Sequence, residues 1–243
     1  ILRRAPDPSG KPFWDGEATR MTSLGANVNE AWYSMANAFF SSPEYAGFNR
    51  SDTEYLVDLY QTFFNRAPDS GGQQFWASQL AAGVPRDIVL VSFMLSPEFT
   101  RFTQAIFGNT AARAEIDMVM DFYRGVLSRL PDQDGFNFWV QRLRAAQCSG
   151  LGARNAVTTE VDSISSQFMA SAEYLARNRT NGQFVGDLYN AFLRRGGDPS
   201  GVQFWIGQLD TGADTRDGLR KRFLIAPEFQ QRVLAVIQQG CLP

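Results

Sequence analysis

The sequence predicts an all-α fold made of four tandem helical-bundle repeats of about 60 residues, the first lacking most of its leading helix. Three observations predict it. A frame R-x-x-D-x-x-G-x-x-F-W occurs four times, ending at Trp14, Trp76, Trp139 and Trp205, at intervals of 62, 63 and 66 residues. A second landmark follows each tryptophan: FFSSPEY ending at Tyr45, FMLSPEF at Phe99, FMASAEY at Tyr174 and FLIAPEF at Phe229. Apolar residues recur at helical spacing, and alternating apolar strands are absent throughout.

The expected repeats cover residues 1–50, 51–109, 110–179 and 180–243. In the first, only Ile1 to Arg3 remain of the apolar block that precedes the frame elsewhere as LYQTFFNR, FYRGVLSR and LYNAFLRR. The second repeat shows the plan most plainly. Leu56, Leu59, Tyr60, Phe63 and Phe64 form one apolar stripe and so a first helix. The P-D-x-x-G stretch reads as a turn, with Pro and Asp at favoured positions and Gly supplying positive φ. A second helix carries Phe75 to Leu80 and stops at Ala82-Gly83, and Val84 to Leu95 reads as a third. Ser96-Pro97-Glu98 then offers an N-cap, a first-turn proline and an acid at the positive end of a helix dipole, which predicts a fourth.

From tryptophan to the landmark glutamate the spacing is 22 residues in the second copy and 23 in the fourth, but 30 in the first and 34 in the third. Insertions are therefore expected near Met21–Glu30 and Gln147–Glu160, and in repeat proteins such insertions usually form loops on a binding face. Trp32, the one tryptophan outside the frame, follows the first insertion and is the candidate ligand surface, although Trp32, Met35, Ala36 and Phe39 also have ordinary core spacing.

With 243 residues and 44% hydrophobic side chains, the chain can bury roughly 70–75% of its surface. Twenty-three basic and 25 acidic residues leave a net charge of −2, which gives no electrostatic reason to expect nucleic acid or an anionic membrane as partner. No apolar run approaches the ~20 residues of a membrane span. A start at Ile1 points to a processed or trimmed product. Cys148 and Cys241 have two readings: one disulfide in an exported protein, or two free thiols in a reducing compartment.

No histidine occurs anywhere, which removes the usual general base, the Ser-His and Cys-His pairs and the commonest transition-metal ligand. A carboxylate pair can cleave glycosides without histidine. Asp7, Asp69, Asp132 and Asp198, however, recur with the frame, whereas a catalytic site should be unique in a repeat array. Helix capping is their expected role. PDQDG, Pro131 to Gly135, resembles part of a calcium loop, but its twelfth position is Leu143 rather than a bidentate Glu. Arg4, Arg66, Arg129 and Arg195 are expected to pair with Glu44, Glu98, Glu173 and Glu228 as structural ion pairs or to cap nearby backbone groups. The Phe-Trp pairs are expected to pack in the core. No catalytic, cofactor or metal site is expected.

The joint pattern LY-x5-R-x-PD-x-x-G-x-x-FW and F-x-x-SPEF resembles the bacterial family of domain of unknown function 4214, and more distantly the helical linker domains of phycobilisomes. The first resemblance implies an all-helical module common in exported and surface-associated bacterial proteins, without an established catalytic role, and makes the disulfide the favoured reading of Cys148 and Cys241. The chain lacks the basic balance of the phycobilisome linkers, which argues against a light-harvesting role. N-x-S/T triplets at Asn49 and Asn178 would accept glycans in a eukaryotic secretory pathway and are accidents in a bacterium.

The expected function is a noncatalytic extracellular module of a bacterial surface layer, matrix or filament. Its partners are protein, either other surface proteins or further copies; the groove that the incomplete first repeat leaves open is expected to take a helix from a missing N-terminal segment or from a neighbouring subunit, and the latter would join copies head to tail. The alternative is an extracellular carbohydrate-binding or adhesion module with polysaccharide as partner.

Overall fold

A computed structural model describes residues 1–108 and 111–242. Fifteen α-helices and no strand occur among them. The first frame leads into α1 (Gly10–Ser23), α2 (Asn29–Phe40) and the short α3 (Pro43–Ala46). Around the second lie α4 (Asp52–Phe64), α5 (Ser70–Ala81), α6 (Arg86–Met94) and α7 (Pro97–Phe107). The third has α8 (Ala114–Phe122), continued by a π-helical turn over Tyr123–Leu127, then α9 (Gln133–Gln147), α10 (Ala153–Ala170) and α11 (Ala172–Ala176). The fourth has α12 (Asn181–Leu188) with a second π-helical turn over Tyr189–Leu193, then α13 (Pro199–Asp210), α14 (Arg216–Ile225) and α15 (Pro227–Gln238). The boundary expected between Asn109 and Thr110 lies outside the described residues, as does the last residue, Pro243.

Helix starts follow local chemistry. Asp69, Asp132 and Asp198 accept from the backbone N–H of Gly72, Gly135 and Gly201 at 2.8, 2.8 and 2.7 Å, satisfying donors that a helix leaves open at its first turn. Asp7 does the same for Gly10 at 2.5 Å. These backbone bonds hold the carboxyls of Asp69, Asp132 and Asp198 below the usual aspartate range. Ser42, Ser96 and Ser171 cap the helices of the second landmark, whereas Ala226, in the same place, has no side chain to do so.

The frame glycine has a different role from the one its sequence suggested. Positive φ falls instead on the residue before each frame arginine: Arg3 at 55°, Asn65 at 51°, Ser128 at 54° and Arg194 at 51°. Gly72, Gly135 and Gly201 are needed because a Cβ there would lie 2.1, 2.2 and 2.6 Å from the hydroxyls of Tyr60, Tyr123 and Tyr189. The tyrosine of the leading helix thus packs where a side chain would otherwise stand.

Each frame tryptophan meets the first phenylalanine of the second landmark: Trp14 with Phe39, Trp76 with Phe93, Trp139 with Phe168 and Trp205 with Phe223, at centroid distances of 6.1, 5.6, 5.8 and 6.2 Å. Trp139 is buried and the other three are half-buried. Their neighbours depart from the expected core packing. Phe13, Phe75, Phe138 and Phe204 are between 46% and 57% exposed, each standing edge-on to its tryptophan. Consecutive helical positions point about 100° apart, so a helix that buries one ring presents the next to solvent.

One continuous apolar core runs from Met21 to Val236. Its middle is the crossing of the two π-helical turns, so close that a Cβ at Gly125 would lie 2.5 Å from the backbone nitrogen of Ala191. The expected insertions are only partly surface loops. Met21, Asn29 and Glu30 are buried at the end of α1 and start of α2, around a short turn with Gly25 exposed; the second insertion keeps an exposed turn over residues 148–152 and otherwise lengthens α10, with Val157 in the core.

Candidate functional site

The recurring ionic residues come together within each copy and nowhere converge. Arg4, Arg66, Arg129 and Arg195 each grip one carboxylate with two nitrogens: Nε to Oε1 of Glu44, Glu98, Glu173 and Glu228 at 2.6, 2.9, 2.6 and 2.7 Å, and Nη2 to Oε2 at 2.9, 3.1, 3.0 and 3.0 Å. Arg66, Arg129 and Arg195 also lie over the rings of Tyr60, Tyr123 and Tyr189. Burial pushes the Tyr123 and Tyr189 hydroxyls up to about 12, so they remain protonated at neutral pH. The frame arginine therefore ties the leading helix, the aspartate turn and the landmark helix into one unit of structure.

Cys148 and Cys241 are joined by a disulfide. Neighbouring bonds hold the same tail: Gln147 Nε2 donates to the carbonyl of Gly240 at 2.8 Å, and so does Arg113 Nη2, also at 2.8 Å. Trp32 is half-buried and stacks on Phe107, with centroids 5.9 Å apart. Among the described residues no group of three or more Asp, Glu or Cys side chains is arranged to hold a metal ion, and no helix is long and apolar enough to cross a membrane.

The most buried polar chemistry lies on residues the motifs did not include. Asp58, Asp121 and Asp187 stand two residues before Tyr60, Tyr123 and Tyr189, and all three are buried. Asp58 accepts from Tyr45 Oη at 2.9 Å and from Arg50 through Nε and Nη2 at 2.9 and 3.0 Å. Asp187 repeats this with Tyr174 at 2.9 Å and with Arg179 at 3.0 and 2.7 Å. A D-[LF]-Y triplet in three copies was the available signal, one residue upstream of the blocks that were aligned.

The same arrangement explains the two N-x-S/T triplets. Asn49 and Asn178 take left-handed conformations at φ 47°, which Asn tolerates better than most residues. Arg50 and Arg179 reach the buried aspartates, and Ser51 and Thr180 form capping boxes with Glu54 and Gln183. Each triplet is a turn, a buried ion pair and a helix start in three residues.

Asp121 sits instead in a network joining distant parts of the chain. Arg124 Nη1 donates to both oxygens of Glu30 at 2.8 and 2.6 Å, Nε donates to Asn190 Oδ1 at 2.9 Å, and Nη2 contacts Asp121. Arg194 bonds Asp121 at 2.9 Å and Glu30 at 3.1 Å, and Arg232 contacts the other oxygen of Asp121. Against the cost of burial, Arg194, Arg124 and Arg232 hold the Asp121 carboxyl down at about 2.

At the opposite edge, α1 lacks the cover that α4, α8 and α12 give to α5, α9 and α13. An open groove of ≈850 Å³ results, lined by Ile1, Leu2, Trp14, Trp32, Met35 and Phe39 among others. It adjoins an apolar hollow of ≈260 Å³ where Trp32 and Met35 meet Phe102, Ile106 and Phe107 of α7.

The family described as Domain of unknown function (DUF4214) matches residues 36–103 and 165–233, together more than half of the chain. Each segment starts before one F-x-x-[SA]-x-E landmark and ends after the next, so it holds one D-[LF]-Y helix and one R-x-x-D-x-x-G-x-x-F-W frame. No curated protein and no solved structure matches the chain.

Proposed function

We propose that this chain, which belongs to the DUF4214 family, is a noncatalytic assembly module of four tandem helical units, exported to a bacterial surface layer, matrix or filament, where copies join head to tail. The observation that carries the reading is the uncovered face of α1, a seat that a helix of a neighbouring copy fits, as would a leading helix contributed by chain preceding Ile1. Three copies of the frame have a leading helix seated on the tryptophan helix, while the first offers the same seat, complete with its Arg4–Glu44 clip, as a groove of ≈850 Å³. A second copy that covers the seat on each molecule forms a heterologous contact, and such contacts extend into filaments unless the rotation closes.

Two further observations support the reading. The four Trp–Phe contacts and four Arg–Glu clips favour four equivalent units, beyond the two segments that the family matches. The Cys148–Cys241 bond favours export, because disulfides persist in oxidising compartments. The frame arginines, aspartates, glycines and tryptophans are engaged in clips, caps and packing, which favours architecture over chemistry for them, while the frame phenylalanines remain about half exposed. Negative-stain electron microscopy of the concentrated protein tests the role: filaments or end-to-end chains support it, and isolated particles at every concentration reject it.

A further inference from the structure

Comparison of the two family segments separates what the fold needs from what it does not. Tyr45, Arg50 and Asp58 of the first correspond to Tyr174, Arg179 and Asp187 of the second and make the same bonds. Three residues past the tyrosine the correspondence breaks: the first segment has Phe48 and the second Arg177. The fold therefore does not require a cation at that position.

Arg177 lines a cleft of ≈520 Å³ whose walls come from both segments and from the π-helical turn at Tyr123–Leu127 with its capping residue Ser128. Every other arginine of the cleft has a carboxylate: Arg50 has Asp58, Arg86 has Asp52, and Arg179 has Asp187 and Asp87. Arg177 has none among the described residues. Its Nη1 donates to the carbonyl of Val126 and its Nη2 to Ser128 Oγ at 2.7 Å, both neutral acceptors, and its guanidinium lies 5.8 Å over the Tyr174 ring, which leaves three of its five N–H groups without a hydrogen-bond acceptor among the described residues. Burial lowers its pKa from the usual arginine value, as expected of a cation in want of a counter-charge. Asn37, Ser41, Asn49 and Asn190 also line the cleft, and among the described residues the Asn190 Nδ2 group donates no hydrogen bond.

We propose that this cleft binds a small hydroxylated carboxylate, such as a uronic acid, with Arg177 gripping the carboxylate and the asparagine amides bonding the hydroxyls. A guanidinium presents parallel N–H donors that match the two oxygens of a carboxylate. Amides both donate and accept, which suits hydroxyl groups. The volume is that of an ordinary small-molecule site, and the seam between two packed units is a usual place for one. The inference is independent of assembly, since the cleft shares no lining residue with the groove beside α1.

Isothermal titration of the whole chain with D-glucuronate, D-glucose, acetate and sulfate tests it. Glucuronate is expected to bind one to one, at least tenfold tighter than acetate or sulfate, with no saturable binding of glucose. Arg177→Gln, checked for folding by its melting curve, should weaken glucuronate binding at least tenfold. Ser41→Asp places a negative charge at an exposed point of the same cleft and should weaken it likewise, so it decides the matter if Arg177→Gln does not fold. Equal binding of glucose and glucuronate, equal binding of all three anions, no binding at millimolar concentration, or glucuronate affinity unchanged in a folded variant each overturns the proposal.

Discussion

Arg124 and Glu30 meet wholly inside the protein, with Nη1 2.8 and 2.6 Å from the two carboxylate oxygens, although they stand 94 positions apart in the chain. Neither belongs to the recurring frame, yet the contact fixes α2 against the π-helical crossing at the centre. Removing one member leaves the other charged and dry, which costs about 3–5 kcal/mol for a buried pair. Glu30→Gln should lower unfolding free energy by that amount in urea titration, whereas breaking the exposed Arg129–Glu173 clip with Glu173→Gln should cost no more than about 1 kcal/mol.

Asp117 belongs to the same neighbourhood with the opposite energetic sign. Its Oδ1 is buried without a hydrogen bond, and the nearest cation, a nitrogen of Arg194, is 3.4 Å away. Burial, aided by Asp121 and Glu30 and opposed by Arg194, pushes its carboxyl up to about 6. A carboxyl raised in the folded state binds its proton more tightly there than when unfolded, so its ionisation lowers stability as pH rises from about 4 to 6. Asp117→Asn should therefore stabilise the protein by up to about 3 kcal/mol at pH 7, and the gain should vanish near pH 4. Parallel urea titrations at the two pH values measure the difference.

Two glycines should respond in opposite directions to the same change. Gly135→Ala forces a methyl group onto the Tyr123 hydroxyl, 2.2 Å from the ideal Cβ, and overpacking of that kind costs about 1–3 kcal/mol. Gly16, inside α1, has nothing within 4 Å of its Cβ position. Gly16→Ala should raise stability by about 0.5–1 kcal/mol through helix propensity alone. Thermal melts of both variants decide whether the frame glycine serves packing.

The disulfide links residues 93 apart, a loop for which chain entropy alone gives up to about 4–5 kcal/mol. Reductant should lower the urea midpoint clearly, and thiol titration of the unfolded, unreduced protein should find no free cysteine. Two free thiols per chain would contradict the pairing.

What the sequence revealed was whatever repeats. Helix starts at Asp69 and Ser96 and the meeting of Arg66 with Glu98 were legible because the aspartate, arginine and glutamate recur in four copies and the serine in three, at fixed places in their motifs. The Gly72 contact with Tyr60 was hidden, since a turn glycine and a packing glycine look alike until the tyrosine is placed. Glu30 and Arg124 occur once each, and only the folded chain brings them together. The contrast of Arg177 with Phe48 stands in the sequence, but only the folded chain shows that Arg177 has neutral acceptors where its arginine neighbours have carboxylates.

Sedimentation velocity across a hundredfold range of protein concentration, with Met35→Glu run beside the unaltered chain, tests the assembly role most directly. Met35 lines the groove beside α1, so a charge there should block a second copy from seating. The expected result is a sedimentation coefficient that climbs with concentration, past that of a dimer, for the unaltered chain and stays at the monomer value for the variant. A monomer at every concentration in both samples, or identical growth in both, would contradict it.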